Sequence, residues 1–303
     1  MDTTQADTED EFANCKPVVI ITNEYLEARI KKMTALQPTG PDVWVSPLSD
    51  ESVRGYETDK QPTNGGVQNI YKVVKILEDA GVSCCMVGEP ALIYYGTGRV
   101  KMEWYVCVPA ELVEKAADLI RAHPDVFEPF RPSKMSRNRG MEHLYPRFKF
   151  VGISLFFILM SSRAFNLPCQ PDKIEYSSNG IPYPQLAAYA QSLLDTYNLV
   201  DLDDLVDGMN LTLEWGEENL DLEGTMDAEW GRWKAYALHG HDADADRIPQ
   251  WCSRPPKRRD TWAKTVSAES KKNRQGFKYS PVYETRFWRR GRKDPRLRPR
   301  ANC

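Results

Sequence analysis

From Val67 onward apolar positions recur at three- and four-residue intervals. Val67, Ile70, Tyr71, Val74 and Leu77 share one face, and Gly81 stands where a helix stops. Val82 to Val87 then reads as a buried strand. Pro90 to Tyr95 reads as a short apolar helix leading through Gly96 and Gly98 into a second strand, Val100 to Val108. Pro109 opens a further helix that ends near His123. A polar loop holding Arg131, Lys134, Arg137 and Arg139 follows, and then the strands Arg147 to Val151 and Ile153 to Met160. The second of these is continuously apolar rather than alternating, which predicts a central strand covered on both faces.

Before this block, Pro17 to Thr22 is β-branched and strand-like, and Glu24 to Leu36 carries Leu26, Ile30 and Met33 on one side of a helix. Thr39 to Gly66 is rich in Gly, Pro, Ser and Asp and reads as a linker. After the block, Tyr183 to Tyr197 is helical, with Leu186, Tyr189, Ala190, Leu193 and Tyr197 on one face. Asp201 to Met209, Leu213 to Leu220 and Asp227 to Leu238 extend the helical run, and beyond Pro249 the periodicity stops.

The alternation predicts an α/β (α+β) fold with a mixed sheet and flanking helices. It divides the chain into an acidic leader (1–15), a strand, helix and linker (16–66), an α/β core (67–178), an acidic helical region (179–248) packed on that core, and a basic extended tail (249–303).

Charge sharpens this division. Residues 251–303 carry 17 Lys and Arg against 4 Asp and Glu, whereas residues 1–250 carry 23 against 39. The formal net charge of −3 therefore conceals an acidic body with a basic arm. The opening MDTTQADTEDEFANC lacks the marks of a secretory or mitochondrial leader, and the longest apolar run, Ile153 to Met160, is far short of the roughly 20 residues a membrane span needs. No membrane partner is expected, and the location is intracellular, cytoplasmic or nuclear. Seven cysteines, an odd number without a Cys-x-x-Cys pair, read as reduced and buried, and the sequon Asn210-Leu211-Thr212 carries no glycan in that setting.

The segment that carries chemistry is CCMVGEPALIYYGTGRVKMEWYVCVP, Cys84 to Pro109. A glycine at a strand-to-helix turn lets phosphates approach the backbone, and residues two apart on the next strand share one face. With its order of elements the segment resembles the DNA polymerase beta-like (minimal) nucleotidyltransferases, where two carboxylates at i and i+2 hold magnesium on a triphosphate. Gly88 matches the glycine of that pattern, Glu103 falls where the first carboxylate belongs, and Ala91, Leu92, Tyr95, Gly96 and Arg99 extend the likeness. Adding PRF before the central strand, PYPQLAAYAQSLLD, VDLDDLVDGM and EWGEENLDL, the chain from Val67 to Glu223 also resembles an uncharacterised group of fungal proteins.

The resemblance implies a nucleotide pocket lined by Gly88, Glu89 and Arg99 and a metal ligand at Glu103, the one candidate catalytic residue. It also exposes defects. Glu89 replaces a Gly or Ser beside the phosphates, Tyr105 replaces the second carboxylate, and Ile153 to Met160 offers only Ser154 for the third. The expectation is a binding or regulatory module with impaired catalysis, a pseudoenzyme needing no cofactor. The alternative is an active enzyme using Mg with an NTP and completing its site with other acids such as Glu89.

Other clusters have simpler readings. His239-Gly240-His241-Asp242-Ala243-Asp244-Ala245-Asp246 reads as a solvated loop before a metal site, and Asp201, Asp203, Asp204 and Asp207 as the wet face of a helix that Asp201 caps. His143 and Tyr145 line a pocket mouth or are structural, and Trp215, Trp230 and Trp233 are packing anchors. In residues 251–303, Arg258, Arg259, Lys271, Lys272, Arg289, Arg290, Arg292 and Lys293 alternate with Trp262, Phe277, Tyr279, Tyr283, Phe287 and Trp288. That pattern suits a nucleic-acid or acidic-protein partner, or a docking arm for the acidic body.

Overall fold

The computed structural model describes residues 59–99, 101, 103–130, 140–239 and 247–274. The expected strand at Pro17 to Thr22, the helix at Glu24 to Leu36, the acidic leader and most of the linker lie outside these residues. So do the arginine-rich loop 131–139, the acidic run 240–246 and the end of the tail, 275–303.

The described chain begins with α1 (Val67–Asp79), whose Ile70, Val73, Val74 and Leu77 are buried at the expected helical spacing. It continues through β1 (Cys85–Val87), α2 (Glu89–Tyr94), β2 (Trp104–Val108) and α3 (Val113–Arg121). Then come β3 (Phe127–Pro129), β4 (Arg147–Phe150), β5 (Phe156–Ser161), and the small hairpin β6 (Ile174–Tyr176) and β7 (Pro182–Pro184). Six helices follow: α4 (Leu186–Asp195), α5 (Leu199–Met209), α6 (Leu213–Asn219), α7 (Ala228–His239), α8 (Arg258–Val266) and α9 (Ala268–Arg274).

Five strands form a mixed sheet in the order β1-β2-β5-β4-β3. Only β2 and β5 run parallel, and the other neighbours are antiparallel. The predicted α/β fold with a mixed sheet and flanking helices is therefore present, with β5 at the centre and buried on both faces as its unbroken apolar run requires. One face carries Met86, Trp104, Val106, Phe148, Phe150, Phe157 and Leu159, which pack with α1 and α3 in the main core. The opposite face carries Cys85, Val87, Tyr105, Cys107 and Ile158, in register across β1, β2 and β5.

The acidic helices pack on the sheet as expected, and they do so within one core that runs on through Ile181, Tyr189, Leu193, Leu202, Leu205 and Val206 to Trp262 and Val266. One expectation changes. The tail expected to be extended from 249 is helical in its described half. Trp262 on α8 is fully buried against Trp215, 5.8 Å away between ring centroids, and a Cβ on Gly216 would collide with its indole. Charge holds the same arm. Arg258 pairs with Asp195 at 2.6 Å and Asp221 at 2.8 Å, Arg259 with Glu217 and Glu223, and Arg274 with Asp203 and Asp207 at 2.9 and 2.8 Å. Of the readings open for this arm, docking on the acidic body is the one found for residues 258–274.

Candidate functional site

The turn between β1 and α2 is where the sequence points, and its geometry follows from Gly88. That residue sits at φ +64° and ψ −140°, a region that side-chain-bearing residues avoid, and its carbonyl accepts the first-turn hydrogen bond from Leu92 N at 3.0 Å. Tyr189 on α4 donates its hydroxyl to the same carbonyl at 3.1 Å. Pro90 in the first turn of α2 needs no amide partner, which suits the abrupt start of a six-residue helix. Behind the turn, Tyr94 stacks on Tyr183 at 4.0 Å and Tyr95 donates to Pro184 O at 2.6 Å, so α2 is clamped to the β7 end of the hairpin.

The space in front of Gly88 is filled. Tyr105 is the register partner of Val87, and its ring lies 3.2 Å from where a Gly88 Cβ would stand. A glycine that in the resembled enzymes admits phosphate here admits an aromatic ring. Burial, then the nearby carboxylates of Glu89, Glu142 and Asp201, push the Tyr105 phenol well above its ordinary value, so it stays a neutral hydroxyl at physiological pH.

Glu103 projects from just before β2, two residues from Tyr105. Its carboxylate is engaged by Arg147 of β4, a strand that lies beyond β5, in a pair that is largely buried. The Arg147 guanidinium also lies over the ring of Phe130 at 4.9 Å. The candidate metal ligand is thus part of an ion pair across the sheet.

Arg99, expected to face a cofactor, is turned to the helical layer instead. Its Nε and Nη1 donate to Asp204 and Asp201 of α5, each at 2.6 Å. Burial acts to lower the Arg99 pKa, but the two carboxylates outweigh it and the net shift is upward. Asp204 is 2% exposed, and Asp203 and Asp207 hold Arg274, so the acidic face of α5 is an inner face and not a wet one. The helix is capped by Asn198, whose side chain accepts from Asp201 N, and not by Asp201.

Glu89 lies beside the Gly88 turn among other charged side chains. Its Oε2 is buried without a hydrogen-bond partner, and burial followed by Asp201 and Glu142 raises its pKa against the pull of Arg99. Glu142, from the turn before β4, likewise buries an Oε2 without a partner. Lys234 of α7 faces the same acids: burial lowers its pKa while Glu142 and Asp201 act to raise it. Glu142 and Lys234 carried no sequence signal, since they lie in a short turn and on a helix of weak periodicity.

Among the described residues, the only group of three or more His, Cys, Asp and Glu side chains whose ligand atoms all lie within 4.8 Å of one another is Cys85, Cys107 and Cys169. A three-carboxylate constellation of the two-metal kind is not assembled there. His143 contacts Gly140 O at 2.9 Å within its own turn, and Tyr145 packs against the main core, where burial raises its phenol to about 12. Trp230 donates to Arg163 O at 2.8 Å and Trp233 lies under the Arg163 guanidinium at 4.7 Å, as packing anchors do. His239 contacts Arg247 at 3.2 Å, and the rest of its cluster lies outside the described residues. Among described helices none is long and apolar enough to cross a membrane. No protein-family model matches this chain, and no curated protein matches it either.

Proposed function

We propose that the chain is a non-transferring binding or regulatory module on a nucleotidyltransferase-like core, working inside the cell. The observation that carries this reading is the conversion of the metal-ligand positions. Glu103 is neutralised by Arg147, and Tyr105 stands on Gly88 where a carboxylate and a phosphate would meet. A two-metal reaction needs several hard oxygen ligands on both ions, and one carboxylate held in a buried ion pair beside a neutral phenol does not make up such a set.

The test incubates the full chain with each labelled NTP and Mg or Mn. Wild type is expected to label neither itself nor an added acceptor, and Glu103→Gln, which keeps the side-chain shape, is expected to behave identically. If wild type transfers label and Glu103→Gln, still folded, does not, the module reading is wrong.

A second reading, an active Mg-dependent nucleotidyltransferase with an unidentified hydroxyl acceptor, is favoured by the buried unpaired oxygens of Glu89 and Glu142 beside Tyr105. A cation would satisfy both. In the same assay that reading requires activity abolished by Glu89→Gln.

A further inference from the structure

The sheet face that carries Tyr105 carries Cys107 two residues further along β2. Cys107 and Cys85 of β1 are register partners, so their side chains leave the sheet on the same side. Cys169, in the segment after the turn Ser162–Phe165, comes over both: its Sγ lies 4.0 Å from that of Cys85 and 3.4 Å from the carbonyl oxygen of Cys107. All three Sγ atoms lie within 4.8 Å of one another, and none is in a disulfide. Cys85 and Cys107 are fully buried and Cys169 is 5% exposed, in a chamber walled by Val87, Leu167 and Ile174.

Buried cysteines often serve as small apolar side chains. Apolar packing alone gives no reason for three sulfurs from distant parts of the chain to face one another. Metal coordination does. With a metal–sulfur bond of about 2.3 Å, three sulfurs around one ion stand about 4.0 Å apart in a trigonal site and about 3.8 Å in a tetrahedral one. The Cys85–Cys169 separation has that value, whereas a disulfide holds its sulfurs about 2.05 Å apart.

We propose that Cys85, Cys107 and Cys169 form a three-thiolate site for a soft d10 metal ion, Cu(I) or Zn(II). Thiolates in an apolar chamber select such ions over hard cations. Among the described residues no fourth His, Cys, Asp or Glu joins the group, which suits the lower coordination number of Cu(I). On binding, three metal–sulfur bonds form and the thiol protons leave to solvent. Cys169 is the least buried of the three and its thiol points at the carbonyl oxygens of Cys107 and Ser83, at 3.4 and 3.7 Å, so it is the sulfur an incoming ion meets first. Hydrogen bonding within the cluster together with burial pushes the Cys85 and Cys107 thiols up, so their protons leave as the metal arrives. Entry is from the Cys169 side, where Pro168 and Gln170 are exposed. The site does not depend on the nucleotidyltransferase-like reading.

The experiment titrates the full reduced chain, without oxygen, with Cu(I) and separately with Zn(II) against a chromogenic chelator of each. X-ray absorption then counts the sulfurs around the bound ion. The expected result is one ion per chain held by three sulfurs, an apparent affinity that rises with pH, and a melting temperature raised by the metal. Cys169→Ser should weaken binding at least tenfold, while Cys252→Ser, at a buried cysteine outside the cluster, should leave it unchanged. The proposal is overturned if neither ion is taken from its chelator, if fewer than three sulfurs surround it, or if Cys169→Ser binds as wild type does. Should Cys169→Ser fail to fold, the sulfur count on wild type decides alone.

Discussion

Glu89 shows how one side chain carries the tension of the Gly88 turn. Its carboxylate is half-buried, one oxygen lacks a partner, and burial with Asp201 and Glu142 raises its pKa above the ordinary glutamate range. A carboxyl whose folded pKa lies above its unfolded value binds more protons in the folded state between the two. Stability therefore falls as pH rises through that window, and the cost is complete once pH exceeds the folded value. Glu89→Gln removes the charge and keeps the shape, so it is expected to raise the melting temperature at pH 7 and to give no gain below the ordinary glutamate pKa. A variant less stable than wild type at pH 7 would show that the Glu89 carboxylate is held by a partner in the folded protein. The residue was visible in the sequence as an anomaly beside Gly88. Its neighbours were not, because Glu142 and Asp201 lie 53 and 112 positions away in the chain and reach it only through the fold.

Among elements, those with a strong period were legible and those without it were not. The helix at Val67 and the central apolar strand stand close to where the pattern puts them, since each buries a face or two that only one arrangement covers. The strand expected from Ile153 starts at Phe156 because Val151 and Gly152 make the turn out of β4. The three-residue strands β3, β6 and β7 are too short to show any alternation. Helix α8 was missed for another reason: its sequence RRDTWAKTV has a single large apolar side chain, and its remaining hold is charge pairing with residues far away in the chain. That predicts where its stability lies. Trp262→Ala, emptying a fully buried site, is expected to cost about 3–5 kcal/mol in urea unfolding of the full chain. Arg259→Ala, whose pairs with Glu217 and Glu223 are solvent-exposed, is expected to leave the unfolding midpoint close to that of wild type. Equal costs would mean that the arm is held by charge and not by the indole.

For the whole molecule, the division between an acidic body and a basic arm describes how the chain closes on itself. Arg258, Arg259 and Arg274 pair with carboxylates on α4, α5 and α6 or in the segment after α6, and Lys271 donates to Leu211 O at 2.6 Å. Those four cations are engaged within the protein, so an anionic partner binding here would compete with the body's own acids. The arm also completes the main core, since Trp262 and Val266 are buried in it. A chain ending at residue 253 loses both the indole and the pairs, and the loss of the indole alone, about 3–5 kcal/mol, is a large fraction of the roughly 5–15 kcal/mol that holds a domain folded. It also leaves Asp195 half-buried with its Arg258 partner gone. Such a truncation is expected to melt well below the full chain, or to be unfolded, and also well below one ending at residue 274, which keeps every contact described for the arm. Thermal unfolding of the three proteins at low and moderate salt separates the contributions. If the chain ending at 253 melts with wild type, the arm is an appendage and α8 contributes nothing to the core. If its deficit disappears once salt screens the pairs, charge and not the buried indole holds the arm in place.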